Sequence, residues 1–338
     1  MMPAGADLSS AVRRLCADAG ACACGVARAA EVAPEDMALL DAWLAEGRHG
    51  CMDYMERWRD LRADPRTLLP GAHSVLVCAF SCRQQQHSAH IADYALGSDY
   101  HAVLRARLEP VAEAIRAMCG GETRVCVDSA PLRERYWAMR AGVGAPGLNG
   151  KIFVPGAGCD VLLAEILCTA ELPPDAPAAP SACTACRRCV EACPAGALDG
   201  SGGVDARRCL SCLTLEWRGP LPPGTDLHGR LAGCDVCSRV CPANRGDALP
   251  VAELLPRPDV LALTPAAAAA MGRGAFGRMF AGSALMRLRH GGLRRNADAI
   301  LHVEAVKKQM LTQGLQILEG ISSCGSSRVL DVRDCDKG

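Results

Sequence analysis

Between residues 183 and 241 the cysteines fall at intervals that metal chemistry requires and packing does not. Cys183, Cys186, Cys189 and Cys193 spell C-x2-C-x2-C-x3-C, and Pro194 follows. At that spacing three thiolates cap one [4Fe–4S] cubane and the fourth reaches another. Zinc would want pairs of ligands separated by a longer loop. A second, incomplete copy follows as Cys234-x2-Cys237-x3-Cys241-Pro242. With ferredoxin-style exchange, one cluster takes Cys183, Cys186, Cys189 and Cys241, and the other takes Cys193, Cys234, Cys237 and either Cys209 or Cys212. Two adjacent cubanes form a short wire for single electrons. Such a wire needs an acceptor, either on a partner protein or in the domain that precedes it.

The elements that hold this cassette belong to a chain of 338 residues, half of them apolar, which is enough for two or three domains. Lysine plus arginine equals aspartate plus glutamate at 37 each, so no global field draws the molecule to a polyanion, and nucleic-acid binding would need a local patch. The N-terminal stretch lacks the apolar core of a secretion signal, and no segment reaches the ~18 apolar residues of a membrane helix. The expectation is a cytoplasmic protein with reduced thiols, without membrane association and monomeric. There, ordered cysteines favour metal, while scattered ones such as Cys22, Cys78, Cys119 and Cys168 of the 21 read as small buried hydrophobes.

Residues 8 to 47 read as helical, with Val12, Leu15, Met37, Leu40, Trp43 and Leu44 at helix-like spacing. SVLVCAF (74 to 80) reads as a buried strand, Val103 to Met118 as a helix, TRVCVD (123 to 128) as a second strand, and a further helix opens at Pro131. The fold class expected is mixed α/β. ELPPDAPAAPSA (171 to 182) is too poor in large side chains for a core element and marks a boundary. This gives an α/β domain over 1–175, a cluster domain over 176–250, and a helical region over 251–338 whose polar tail, from Gly320, is expected to be poorly ordered.

The cassette continues as DARRCLSCLTLEWRGPLP (205 to 222) and GCDVCSRVCPANR (233 to 245), and in this it resembles the epoxyqueuosine reductase family. Residues 50 to 58, RADPRTLLPGAHSVLVCA (62 to 79), YALGSDYH (94 to 101), VDSAPLRERYWAMRAGVG (127 to 144) and GSALMRLRHGGLRRN (282 to 296) resemble that family in the same order, over roughly residues 10 to 296. The resemblance implies a nitroreductase-like α/β domain that binds cobalamin, a ferredoxin-like domain with two [4Fe–4S] clusters, and a helical C-terminal part. It implies reduction of the epoxide of epoxyqueuosine at the tRNA wobble position, with electrons from an external donor. It also implies Cys209 rather than Cys212 as the remaining ligand, since the family commonly has tyrosine at the latter position.

Read on its own residues, Asp128 is a helix N-cap ahead of Ser-Ala-Pro. The resemblance makes it the proton donor that neutralises the departing alkoxide, a role requiring the protonated acid, which an apolar pocket would favour. Arg62, Tyr100, His101 and Asn149 match family segments that border cofactor or substrate; each alone reads as structural. Gly142, Gly144 and Gly147 spell G-x-G-x-x-G, but the preceding residues read as helix and Pro146 interrupts the loop, which argues against a dinucleotide site. These glycines more plainly let backbone pass close to a corrin. Leu148 stands where the family usually has lysine. Asp226-Leu227-His228 lacks the glycine that completes a cobalt-ligating Asp-x-His-x-x-Gly, so no histidine ligand is expected and the cobalamin implied is base-off.

Arg287, Arg289, His290, Arg294 and Arg295 form a compact basic stretch, which alone reads as a solvated helix face and, for a tRNA substrate, is the best candidate phosphate footprint. Two other functions share the clusters: an electron carrier or corrinoid-reactivating protein, and a reductase of small molecules of the reductive-dehalogenase type. VDSAP together with DARRCLS and GLRRN favours the tRNA enzyme over both.

Overall fold

The computed structural model describes residues 5–324 apart from 180 and 182. Its first half runs α1 (Gly5–Asp18), β1 (Ala23–Arg28), α2 (Pro34–Ala45), α3 (Tyr54–Arg57), β2 (Ser74–Ser81), α4 (Tyr100–Cys119), β3 (Thr123–Cys126), α5 (Glu134–Arg140), the short pair β4 (Ala145–Pro146) and β5 (Ile152–Phe153), and β6 (Val161–Cys168). Four strands form an antiparallel sheet in the order β1-β2-β6-β3. All eight residues of β2 are buried. An apolar run of this kind has no solvated face, so helices must cover both sides. They do: Leu104, Leu108, Val111 and Ile115 of α4 pack with Val12 and Cys16 of α1 on one face, while Met37 and Leu40 of α2 and Trp137 and Ala138 of α5 cover the other. Each such large side chain contributes roughly 1.5–3 kcal/mol through burial.

The reading of residues 8 to 47 as continuous helix is corrected by β1, which interrupts it. ACGVAR carries no β-branched run, and it is held as an edge strand by its register with β2, a contact made some fifty residues away. The strand β6, with the sequence VLLAEILC, likewise has a composition that suits a helix, and its neighbours β2 and β3 decide the matter.

The proline-rich stretch after β6 is pinned to the α/β layer. Leu172 is buried, the Asp175 carboxylate accepts from Val26 N at 2.9 Å, and Ala178 N donates to the Met139 carbonyl at 2.8 Å. Beyond it lie α6 (Arg188–Glu191), α7 (Leu210–Leu215), α8 (Val236–Arg239), α9 (Pro258–Leu261), α10 (Pro265–Ala270), α11 (Arg273–Phe280) and α12 (Arg289–Cys324). The cysteine segment shares one apolar core with the C-terminal helices, in which Leu210, Leu213 and Leu231 meet Val260, Phe276, Phe280, Leu293 and Ile300. Residues 320–324 close α12; the rest of the tail, named above as poorly ordered, lies outside the described residues. Among the described residues no helix is long and apolar enough to cross a membrane.

Candidate functional site

Cys183, Cys186, Cys189 and Cys241 line one cavity with an empty volume of about 320 Å³. Leu148, Asn149 and Phe153 of the α/β half complete its wall. Gly147 permits this approach: a side chain there would meet the Phe153 ring at 2.3 Å and Cys183 Cβ at 3.3 Å. Four thiols around one hollow are the donor set of a cubane, and their chemistry fits it. A second group gathers nearby. Burial lifts the thiol pKa of Cys209, Cys234 and Cys237; a further upward push comes from Cys193 on Cys209, from Cys209 on Cys234, and from Cys234 and Cys209 on Cys237, so these sulfurs lie within electrostatic reach of one another. Ala197 N donates to Cys193 Sγ at 3.2 Å. Cys212 faces elsewhere, with its sulfur 3.8 Å from that of Cys51.

Lys151 and Asp160 join the two halves beside this second group. Lys151 Nζ donates to Asp160 Oδ1 at 3.3 Å and to Ser238 Oγ at 3.1 Å, and Asn244 Nδ2 donates to Asp160 Oδ2 at 2.7 Å. A lysine therefore stands three residues after Leu148, the position where the family's lysine is missing. Asn149 is buried, with Nδ2 at 3.6 Å from Cys159 Sγ.

Asp128 follows β3 in the left-handed region at φ 50°, a conformation that aspartate tolerates better than most residues. It caps no helix. Its backbone N–H donates to Glu134 Oε1 at 2.7 Å, and Oδ2 accepts from the Tyr100 hydroxyl at 3.0 Å and pairs with His101 Nε2 at 2.9 Å. The other imidazole nitrogen pairs with Asp99 Oδ1 at 2.7 Å, and Asp99 caps α4 through His101 N, so one helix N-terminus positions both partners. The rings of Tyr100 and His101 stack with centroids 4.0 Å apart.

These contacts bear on the proton that Asp128 is expected to carry. Burial pushes its carboxyl up, but the hydrogen bond and charge of His101 and the Tyr100 hydroxyl bring it below its usual value. Burial pulls His101 down, yet Asp128 and Asp99 raise it overall. Both shifts favour the form with the proton on the imidazole and the negative charge on the carboxylate.

Arg62 is 9% exposed, donates from Nη1 to the Leu132 carbonyl at 3.0 Å, and leaves Nε without a partner. Asp128 and Glu134 lie close enough to oppose the lowering of its pKa by burial. Of the basic stretch, Arg287 is ion-paired with Glu216 and lies within electrostatic range of Asp128. Arg289 is exposed, and Arg294 is exposed with only a 3.7 Å contact to Asp298. Arg295 is spent internally on the carbonyls of Leu213, Trp217 and Gly219. Asp226, from the incomplete cobalt motif, is held by Lys307 at 3.0 Å. Glu134, Glu216, Lys151 and Asp160 were not singled out by sequence; no local spacing marks them.

Comparison with known proteins bears on this arrangement. A relative from Cyclobacterium marinum, named epoxyqueuosine reductase, is 35% identical over 285 residues, covering 81% of this chain and 90% of its own length. The chain belongs to the epoxyqueuosine reductase family. The relative of that name from Escherichia coli is 37% identical over 276 residues, covering 78% of this chain and 73% of its own. The family model described as "Epoxyqueuosine reductase QueG, DUF1730" matches residues 62–129, which end just past Asp128, and the 4Fe-4S double cluster binding domain matches residues 182–244. Among solved structures, an epoxyqueuosine reductase crystallised with an epoxyqueuosine-modified tRNA-Tyr stem loop superposes with a TM-score of 0.80 at 28% identity, covering 88% of this chain and 82% of that one. The family's double-cluster domain therefore coincides with the thiols gathered here.

Proposed function

We propose that this protein reduces epoxyqueuosine in tRNA to queuosine, with the two [4Fe–4S] clusters feeding a cobalamin held in the α/β half. The observation that carries the reading is the cavity shared by Cys183, Cys186, Cys189 and Cys241 with Leu148, Asn149 and Phe153. It ends the electron wire inside the domain that bears Asp128, so an acceptor in the same chain is what the wire serves. Cys193, Cys209, Cys234 and Cys237 would hold the second cluster.

Cobalamin, when bound, supplies a low-valent metal centre able to reduce a carbon–oxygen bond. Arg62, with its buried unpartnered Nε, offers a donor of the kind a corrin's amide-rich rim would satisfy; Tyr100 and His101 meet Asp128 within its electrostatic reach, and Asn149 would contribute from the cluster cavity. No histidine ligand to the metal is needed. As the epoxide opens, Asp128 conveys a proton to the departing oxygen; in the resting arrangement that proton resides on His101 and crosses the 2.9 Å hydrogen bond. Arg287, Arg289 and Arg294 form the phosphate footprint, while Arg295 ties down α12, which carries the last two. The protein acts in the cytoplasm as a monomer and draws electrons from an external one-electron donor.

The test is direct. Protein purified without oxygen is assayed for iron, sulfide and corrin, then given a reduced donor and epoxyqueuosine-containing tRNA. Queuosine formation by this chain alone supports the reading; clusters without corrin binding or turnover would make it an electron carrier.

A further inference from the structure

Reduction of an oxirane to an alkene consumes two electrons and two protons: both C–O bonds break, a C–C π bond forms, and the oxygen leaves as water. The electrons come one at a time from the external low-potential donor. The Asp128–His101 pair holds one transferable proton, so each turnover needs a second from another group.

Two carboxyls that the reaction as described does not use lie within electrostatic reach of Asp128. Glu134 is half-buried at the start of α5, and its Oε1 accepts the Asp128 backbone N–H at 2.7 Å. Glu165 is fully buried in the centre of β6, in register with Cys126 two residues before Asp128, and neither of its oxygens has a partner. A carboxylate so placed would be a bare charge in the core, whereas the neutral acid costs far less. The groups facing Glu134 are Asp128, Arg135 and Arg62; those acting on Glu165 are Glu134 and Asp128. Burial and the Asp128 charge push Glu134 up to about 8, and burial, Glu134 and Asp128 raise Glu165 well above the ordinary range.

We infer that Glu134 and Glu165 keep the second proton of each turnover within the site, Glu134 being the group that touches the Asp128 turn and is refilled from solvent at its exposed side. This rests on the reaction proposed above. The bland alternative is that Glu134 merely anchors the strained Asp128 turn and Glu165 merely fills space. Glutamine separates the two, because it retains the oxygen that accepts Asp128 N–H and the neutral shape but has no acidic proton.

In the cluster- and cobalamin-loaded enzyme, Glu134→Gln and Glu165→Gln should each lower kcat about 10- to 100-fold, the lower part of the range for acid–base catalysis, with KM for the modified tRNA unchanged. The wild-type rate should fall as pH rises through about 8, where Glu134 loses its proton, and that limb should be absent in Glu134→Gln. Infrared spectra of the cluster-loaded protein at neutral pH should contain a protonated-carboxyl band that Glu165→Gln removes; no such band in the wild type would overturn the inference independently of turnover. Variants that match a competent wild type in kcat and pH profile would overturn this inference alone. A loaded wild type that leaves the tRNA untouched would overturn the proposed reaction and this step with it.

Discussion

All the thiols proposed as cluster ligands lie between residues 183 and 241, on loops and on helices of only four residues, α6 and α8. The groups around Asp128 instead come from residues 62, 99–101, 134 and 165, brought together by a four-stranded sheet and the starts of α4 and α5. In the first region the metal closes the geometry, and little regular structure is needed. In the second the scaffold must fix each group beforehand. The first should therefore fail as a unit when one sulfur is lost, and the second should degrade by steps.

The largest effect expected is from Cys237→Ser, which should reduce iron from roughly eight to roughly four atoms per chain and bring tRNA reduction to background. Cys212→Ser should leave iron unchanged, because that sulfur faces Cys51. Iron analysis after anaerobic reconstitution decides it, and loss of iron on changing Cys212 but not Cys209 would reverse the ligand assignment. Next is Asp128→Asn, which should cost about 10²–10⁴ in kcat with both clusters retained. Full turnover in that variant would remove Asp128 from proton delivery.

The same contrast explains what could be read in the sequence. Metal ligands repeat at fixed local spacing, so Cys183 to Cys193 and Cys234 to Cys241 were legible, and buried strand β2 announced itself by an unbroken apolar run. The strands β1 and β6 were not legible, since ACGVAR and VLLAEILC become strands only through partners far along the chain. Asp128 was singled out through resemblance, but the contacts that set its charge state were not legible. That state depends on His101, 27 residues away in sequence and hydrogen-bonded in space. Glu134 and Glu165 were not legible either: the first is marked only by its contact with the Asp128 N–H, the second only by burial and unpartnered oxygens.

A smaller effect tests the pairing on which the second region rests. His101 has a raised folded-state pKa, so its stabilisation is complete below the unfolded value of about 6.5 and is lost as pH rises through the higher folded value. Asp128 has a lowered one, so its contribution is present above about 3.9 and is lost as pH falls through the folded value. Both contributions therefore coexist between about pH 4 and somewhat above 6.5. His101→Gln should lower stability within that window and little above it, by less than about 1 kcal/mol because the Asp128 side chain is 53% exposed and partly screened, and thermal melts across pH read the loss. A pH-independent loss would mean that the imidazole acts through packing and that the ion pair contributes nothing.

The smallest effect separates two neighbouring arginines that sequence treated alike. Arg294 is exposed, so Arg294→Ala should remove one phosphate contact, weaken tRNA binding a few-fold, and reduce the magnitude of the salt dependence of log K by about 1, with no change in melting temperature. Arg295 should behave in the opposite way. Its guanidinium serves three carbonyls near α7, so Arg295→Ala should cost about 1–3 kcal/mol through polar groups left unpaired, while the salt slope stays as it was. Affinity measured across a salt series, alongside thermal melts of both variants, tests this division. Equal salt slopes in wild type and Arg294→Ala would move the footprint off α12, because an exposed cation that touches phosphate must release counterions when it binds.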